Sequence, residues 1–291
     1  MNILVLGATG MIGNTMLRVL SENSDWQVIG AARAESARSR FAERIAARML
    51  CGFDLRVADE VMRLFAIAKP AVVVNCAGLT KHLRGGNEPL AAMAMNAMLP
   101  HRLAQLCSVA GARLINVSTD CVFSGTKGNY KETDLADASD IYGRSKALGE
   151  VSGPGTVTLR TSTVGHEIDT KHGLLEWFLS QKQCQGFTRA IFSGLPSVVF
   201  ARVVRDVVIP GSRLSGLYHV AGPAIAKADL LRMIATTYRV AIEIILDDRM
   251  VIDRSLDATL FRQATGYRAP PWPEMIATMH SDYENGHKRH V

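Results

Sequence analysis

A tyrosine and a lysine four residues apart carry the strongest chemical signal in this chain. Tyr142 and Lys146 are separated by about one helical turn, which places both side chains on the same helix face. A phenol has a pKa of about 10 and exchanges protons at neutral pH only when a nearby cation stabilises the phenolate. The pair therefore predicts a tyrosine that donates or accepts a proton, supported by the lysine charge. The structural alternative is a surface pair on an amphipathic helix.

A glycine-rich turn near the start of the chain predicts a dinucleotide site. Gly7, Gly10 and Gly13 follow an apolar strand pattern and open a helix. Residues without side chains allow a tight turn and a close approach to a pyrophosphate, whose charge then meets the helix N-terminus. Glycines that merely pack the helix on the strand are the alternative. The residues expected to contact the cofactor here are Gly7, Thr9, Gly10, Met11, Ile12 and Gly13.

The residues that end the next three predicted strands indicate which dinucleotide binds. The second strand ends at Arg33 and carries no carboxylate for a ribose 2′-hydroxyl. Arg33 therefore favours the 2′-phosphate of NADPH, with NADH as the second choice, unless it is simply a solvated loop arginine. Asp54 and Leu55 close the third strand and are expected at the adenine. Small residues follow the fourth strand and are expected beside the ribose and nicotinamide: Cys76, Ala77 and Gly78.

A hydroxyl at a neighbouring strand end completes the predicted chemistry. Thr119 is placed to hold the oxygen of a carbonyl substrate. In this mechanism hydride passes from NADPH to the carbonyl carbon, and Tyr142 protonates the developing alkoxide. Lys146 supplies the positive charge and also holds the nicotinamide ribose.

The composition predicts a globular protein and argues against several partner classes. Hydrophobic residues make up 48% of the 291 residues and charged residues 21%, which is ordinary for an α/β protein. The net charge of +6 comes from scattered Lys and Arg, so no nucleic-acid partner is expected. The five cysteines are odd in number and form no CxxC, which favours thiols in a reducing cytoplasm over disulfides or a metal site. We expect no signal peptide and no membrane association.

Short apolar strands alternate with helical patterns, and this alternation predicts an α/β fold with a doubly wound parallel sheet. We predict a Rossmann-type dinucleotide-binding domain over residues 1–160, rejoined by 216–238. Residues 161–215 and 239–291 are predicted to form a smaller, interleaved C-terminal substrate lobe. The predicted strands are Ile3–Leu6, Gln27–Ala31, 52–55, Ala71–Asn75, Arg113–Val117, Thr156–Arg160 and 216–221. The predicted helices are 11–22, 36–49, 58–68, 88–110 (capped by Asn87 and kinked at Pro100) and 140–152.

At these residues the chain resembles the extended short-chain dehydrogenase/reductases and, within them, the dTDP-4-dehydrorhamnose reductase group. The glycine turn matches the family fingerprint, and the run 118–123 matches its Ser-Thr-Asp-Tyr-Val-Phe with Thr119 at the catalytic hydroxyl. Tyr142 and Lys146 match the catalytic pair, and Asn96 matches the helix asparagine that supports the proton relay. The segment 254–257 resembles a C-terminal family motif. The resemblance covers essentially the whole chain.

The resemblance implies reduction of a nucleotide-activated 4-keto-6-deoxy sugar in deoxysugar or polysaccharide biosynthesis, and it allows a homodimer. Two departures affect the substrate: Cys121 stands where the family usually has Tyr, and Thr163 where it has Trp. The class of reaction therefore transfers better than the sugar. Arg189 or Arg254 is a candidate clamp for the nucleotide diphosphate, with solvated arginines as the alternative. The expected substrate contacts are Thr80, Cys121, Thr163, Arg189 and Arg254.

Three other functions use a similar fold. A nucleotide-sugar 4,6-dehydratase needs an Asp-Glu pair after the threonine, whereas this chain has Asp120 followed by Cys121. A 4-epimerase generally prefers an acidic residue where this chain has Arg33. A non-catalytic NAD(P)-binding regulatory subunit typically loses one member of the tyrosine–lysine pair, and both are present here.

Overall fold

A seven-stranded sheet, parallel in every pairing, forms the centre of the molecule. The structure is a computed structural model and describes residues 1–80, 88–168 and 171–287. Across the sheet the strands lie in the order β11 (Gly216–His219), β6 (Thr156–Thr161), β5 (Arg113–Thr119), β4 (Val72–Asn75), β1 (Asn2–Leu6), β2 (Gln27–Ala31) and β3 (Met49–Leu50). The order reverses between β1 and β4, which brings the glycine turn beside the ends of β4 and β5.

Helices cover both faces of this sheet. The helices are α1 (Met11–Leu20), α2 (Glu43–Ala46), α3 (Ala58–Ala68), α4 (Pro89–Ala92), α5 (Leu99–Ala110), α6 (Ile141–Leu148), α7 (Leu174–Leu179), α8 (Ser197–Val203), α9 (Lys227–Tyr238), α10 (Thr259–Thr265) and α11 (Trp272–His287). Alternate residues of β1 face opposite sides, as the period of a strand requires. Ile3 and Val5 pack in the core that includes α1 and α8, whereas Leu4 and Leu6 pack with α3 and α5. This two-sided burial confirms the doubly wound α/β fold.

Six of the seven predicted strands agree with the structure to within two residues at each end, and the third is wrong. The third strand is Met49–Leu50, not 52–55. Gly52 follows it with a φ of +84°, a left-handed conformation that ends the extended backbone. The seventh strand ends at His219, two residues earlier than predicted.

The predicted helix 36–49 is also wrong. In its place the chain forms a 3₁₀ segment, Glu35–Arg40, and the single-turn helix α2. Buried apolar residues recur every four positions here, at Ala37, Phe41, Ile45 and Met49, which is the pattern of a helix face. The helix is nevertheless interrupted, because Phe41 and Ala42 have extended backbone with ψ angles of 150° and 145°. The predicted helix 140–152 ends at Leu148, before Gly149.

The helix predicted over 88–110 exists but contains a π-helical segment, Met93–Met98, between α4 and α5. Pro100 lies just beyond this segment and has no backbone N–H to donate to the carbonyl four residues earlier, so the regular hydrogen-bond ladder is interrupted there. The irregularity predicted at Pro100 therefore takes the form of a π segment. The helix begins at Pro89, and the predicted cap Asn87 lies outside the described residues.

Three small sheets lie beyond the end of β6. They pair β7 (Thr163–Val164) with β10 (Leu195–Pro196), β8 (Gln183–Phe187) with β13 (Glu243–Asp247), and β9 (Ala190–Phe192) with β12 (Ile225–Ala226) and β14 (Ile252–Asp253). The division into a dinucleotide domain and a substrate lobe stays a prediction. Within the described ranges, no helix has the length and apolar character needed to cross a membrane.

Candidate active site

A cleft of about 270 Å³ lies where the carboxyl ends of β4, β5 and β6 meet the N-termini of α1 and α6. Most of the predicted catalytic and nicotinamide residues line it, although they come from five separate parts of the chain. The predicted residues in its lining are Met11, Ile12, Cys76, Ala77, Gly78, Thr80, Thr119, Cys121, Tyr142, Lys146 and Thr163. The cleft lies at the switch point of the strand order, where open α/β sheets bind their ligands.

The glycine turn contains two different kinds of glycine. Gly7 has a φ of +74°, and a Cβ there would lie 2.7 Å from the backbone nitrogen of Ala77; a Cβ on Gly13 would overlap the Gly7 carbonyl. These two glycines are required by contacts within the protein, whether or not a ligand is bound. Gly10 is exposed, has an ordinary φ of −79°, and its Cβ would come no closer than 3.5 Å to any neighbour. Its bare surface at the N-terminus of α1 therefore fits a cradle for a phosphate group.

Tyr142 stays protonated in this environment. Burial raises the pKa of its phenol above its usual range, and the nearby Cys121 and Asp120 raise the pKa further. A hydrogen bond with the Thr119 hydroxyl acts in the opposite direction and does not outweigh burial. A tyrosine that stays neutral can donate a proton but is a poor base, so this environment suits the reductive direction.

Lys146 is buried, and its ammonium donates to the carbonyl of Val117 at 2.8 Å. Burial lowers the pKa of Lys146 to about 8, although the charges of Glu150 and Cys76 oppose this shift. Lys146 is not among the groups that set the phenol pKa. The expectation that the lysine stabilises the phenolate stays a prediction.

Asn96 holds two parts of the site together. Its side-chain amide donates to the Leu79 carbonyl at 2.9 Å and to the Ser145 hydroxyl at 3.1 Å, while its oxygen accepts from the Leu79 N–H at 2.8 Å. The π segment turns this fully buried side chain toward the loop after β4 and toward α6. Its role in a proton relay stays a prediction.

The residues predicted at the adenine end lie outside the cleft. Arg33 is exposed at the end of β2, and its charge helps lower the pKa of Asp54. The main cause of this lowering is a hydrogen bond from the Arg56 side chain, which with the smaller effects brings the pKa of Asp54 to about 2. Leu55 packs partly against the core that includes α3. The exposed guanidinium of Arg33 is available to an anionic group, and the ligand contacts of Asp54 and Leu55 stay predictions.

The predicted substrate residues fall into two groups. Thr80, Cys121 and Thr163 line the cleft, whereas Arg189 and Arg254 do not. Arg254 lies behind Cys121: its Nε donates to the Phe123 carbonyl at 2.8 Å and its Nη1 lies 3.7 Å from the Cys121 sulfur. Arg189 is exposed on the turn between β8 and β9. The structure therefore gives Arg254 a contact with the 121–123 segment in place of an open position in the cleft.

Sequence reasoning did not select Asp120 and Ser162, which also line the cleft. Asp120 accepts a hydrogen bond from the Thr119 hydroxyl at 3.2 Å, and burial raises the pKa of its carboxyl although Arg254 acts to lower that pKa. Its position directly after Thr119 was the signal that could have identified it. Ser162 carried no pattern of its own, because its place depends on the turn between β6 and β7.

Fold and site together define a Rossmann-type protein with the Thr-Tyr-Lys arrangement of the short-chain dehydrogenase/reductases. The family model described as the RmlD substrate binding domain matches residues 1–283. The chain belongs to this family.

Individual relatives carry two different names. The dTDP-4-dehydrorhamnose reductase of Streptomyces griseus is 35% identical over 148 residues, or 50% of this chain and 43% of that protein. Methionine adenosyltransferase 2 subunit beta of Xenopus laevis is 34% identical over 149 residues, or 50% of this chain and 41% of that protein. This chain thus matches less than half the length of each.

Among solved structures, the dTDP-4-dehydrorhamnose reductase of Bacillus anthracis in complex with NADP superimposes with a TM-score of 0.77 at 18% identity. The match covers 96% of this chain and 98% of that one. It shows that the two proteins share a fold.

Proposed function

We propose that this protein is an NADPH-dependent oxidoreductase that reduces the keto group of a nucleotide-activated 4-keto-6-deoxy sugar. The observation that carries the proposal is the convergence of Thr119, Tyr142 and Lys146 in one cleft beside the glycine turn. Bound NADPH supplies hydride. A NADP complex of a structural neighbour and the exposed Arg33 support the choice of cofactor, with NADH as the alternative.

Each of the other groups in the cleft has its own role in the proposed reaction. The Thr119 hydroxyl, already hydrogen-bonded to the Cys121 N–H at 3.1 Å, binds the carbonyl oxygen. Tyr142 donates its proton to that oxygen as negative charge develops. Lys146 carries positive charge below a pH of about 8 and holds the ribose of the cofactor. Gly10 and the N-terminus of α1 receive the pyrophosphate.

The test is NADPH oxidation by the purified protein with a panel of dTDP-, UDP- and GDP-linked 4-keto-6-deoxy sugars. NADPH binding is measured on the same preparation by the fluorescence of the reduced nicotinamide. Turnover with one or more of the sugars supports the reductase and identifies its substrate. Binding without turnover across the panel contradicts it.

A second candidate is a cofactor-binding regulatory subunit without catalytic activity. It is favoured by the similarity to methionine adenosyltransferase 2 subunit beta over half of the chain. The complete Thr119, Tyr142 and Lys146 set favours the reductase, because a regulatory subunit has no need of a proton donor beside a bound nicotinamide. A 4-epimerase is the third alternative, and Arg33 argues against it. A homodimer and a cytoplasmic location stay predictions.

A further inference from the structure

A largely buried glutamate joins the catalytic helix to the strand that carries Thr119. Glu150 lies four residues after Lys146, just beyond the end of α6. Its carboxylate accepts a hydrogen bond from the Ser118 hydroxyl and one each from Nε and Nη2 of Arg160, all at 2.7 Å. The Arg160 side chain is only 5% exposed and that of Glu150 12%. The interaction is therefore part of the interior, where a lost partner is costly.

Lys146 and Glu150 are bound to consecutive residues of β5. Lys146 donates to the carbonyl of Val117, and Glu150 accepts from Ser118; the next residue is Thr119. Two points one helical turn apart on the α6 side are therefore fixed to the end of the same strand. Since Tyr142 precedes Lys146 by one turn, these two bonds help set where the phenol meets the Thr119 hydroxyl.

The other groups that surround Lys146 are mostly uncharged. From β4 the site receives Cys76, whose pKa burial raises to about 12, so the thiol is neutral. The π segment contributes the uncharged Asn96, and α6 contributes the neutral phenol of Tyr142. Beyond the end of β5, Asp120 accepts a hydrogen bond from the Thr119 hydroxyl, and burial raises the pKa of its carboxyl.

In the described part of the chain, Glu150 is the carboxylate that hydrogen-bonds to Arg160, while Glu132 lies close enough for the Arg160 charge to act to lower the pKa of its carboxyl. Its Nη1 lies 3.2 Å from Nε2 of His219, and its guanidinium lies 4.9 Å above the Phe123 ring. Burial, with the charge of Arg160, lowers the pKa of His219 to about 4, so this histidine is neutral at pH 7. The Glu150 carboxylate therefore supplies the direct ion pair of this buried guanidinium.

We propose that Glu150 is a positioning residue for Lys146 and Thr119: held by Ser118 and Arg160, its carboxylate keeps the Lys146 ammonium charged and fixed against the end of β5. The effect on turnover rests on the proposed reductase function. The effect on the lysine itself does not.

The experiment follows the titration of Lys146 by NMR in protein labelled with ¹⁵N- and ¹³C-lysine, with the Lys146→Arg variant assigning the resonance. In wild type the midpoint is expected at a pH of about 8. In Glu150→Gln the negative charge of residue 150 is lost, and the Lys146 midpoint should fall by about one pH unit. Glu150→Asp retains the charge and should stay near the wild-type midpoint. The control Glu176→Gln removes a carboxylate that pairs with His166 outside the cleft and should leave the titration unchanged.

An unchanged Lys146 midpoint in Glu150→Gln overturns the proposal. If Arg160, left without its partner, prevents that variant from folding, Glu150→Gln combined with Arg160→Met removes both charges. The double variant differs from Arg160→Met alone only in the Glu150 charge, so it must titrate at a lower pH than Arg160→Met, or the proposal is wrong. The midpoint is read without substrate, so a wild-type protein that reduces no sugar would contradict the proposed function and leave this test intact. Where turnover exists, Glu150→Gln should move the alkaline fall of kcat/KM to lower pH by the same amount.

Discussion

Two clefts of the described structure differ in how their polar groups are used. The larger, about 810 Å³, lies between α1, α8 and α11. All four of its carboxylates already have partners: Glu22 with Arg205, Glu167 with the Gly173 N–H, Glu176 with His166, and Asp282 with Arg18. The smaller cleft, about 270 Å³, gathers a phenol, an ammonium and a hydroxyl on one wall. We therefore assign the proposed chemistry to the cleft with convergent groups of shifted pKa and not to the cleft with the larger volume.

The largest difference should appear between the loss of the Tyr142 hydroxyl from the smaller cleft and the loss of a tyrosine hydroxyl that supports the larger one. Tyr142→Phe removes the proton donor and should lower kcat by about 10²- to 10⁴-fold, while NADPH binding stays close to normal. Tyr238→Phe removes a hydroxyl that bonds to His166 of the larger cleft at 2.9 Å and should keep most of the turnover. Steady-state NADPH oxidation measures both. Similar activity in the two variants would remove the distinction between the clefts.

Cofactor preference tests the basic residue nearest the adenine end. Arg33→Asp replaces a cation for a 2′-phosphate with an acceptor for a 2′-hydroxyl, so the ratio of kcat/KM for NADPH to that for NADH should fall by about 10- to 100-fold. Arg213→Asp makes the same change at an exposed turn before β11 and controls for net charge. A ratio that moves equally in both variants would mean that Arg33 does not contact the phosphate.

The buried lysine predicts a pH dependence. Because burial lowers the pKa of Lys146 to about 8, its positive charge is present below that pH and is lost above it. Therefore kcat/KM for NADPH should fall about tenfold for each pH unit above 8. Tyr142, whose pKa is raised above its usual range, adds no fall in this range. Lys146→Arg, which does not titrate here, should lose the fall even if its turnover is lower.

The smallest expected effect separates a ligand-facing glycine from a glycine in the larger cleft. Gly10→Ala meets no neighbour closer than 3.5 Å, so Tm should be unchanged, while a methyl group on the phosphate cradle should weaken NADPH binding by about tenfold. Gly286→Ala, in the lining of the larger cleft and with no atom within 4 Å of the added carbon, should leave binding unchanged. Equal affinities in wild type and Gly10→Ala would show that no ligand approaches this glycine.

The sequence by itself determined the local chemistry and the sheet. Parallel strands buried on both faces leave continuous apolar runs, so most strands of the main sheet could be placed from the sequence. The spacing of Tyr142 and Lys146 fixed their common helix face, and the glycine turn fixed the start of α1. The region 35–50 was misread, because its apolar residues have helical spacing while extended backbone at Phe41 and Ala42 interrupts the helix and the strand that follows has only two residues.

Only the tertiary structure decided how these residues affect one another. The placement of Arg254 behind Cys121 and the contacts of Asn96 and Glu150 join residues 10 to 133 positions apart, and the burial that raises the pKa of Tyr142 likewise comes from the folded structure. Desolvation and charge coupling depend on distance in space. A sequence pattern reports the type of each group and its local periodicity, and the fold supplies the distances that set protonation and orientation.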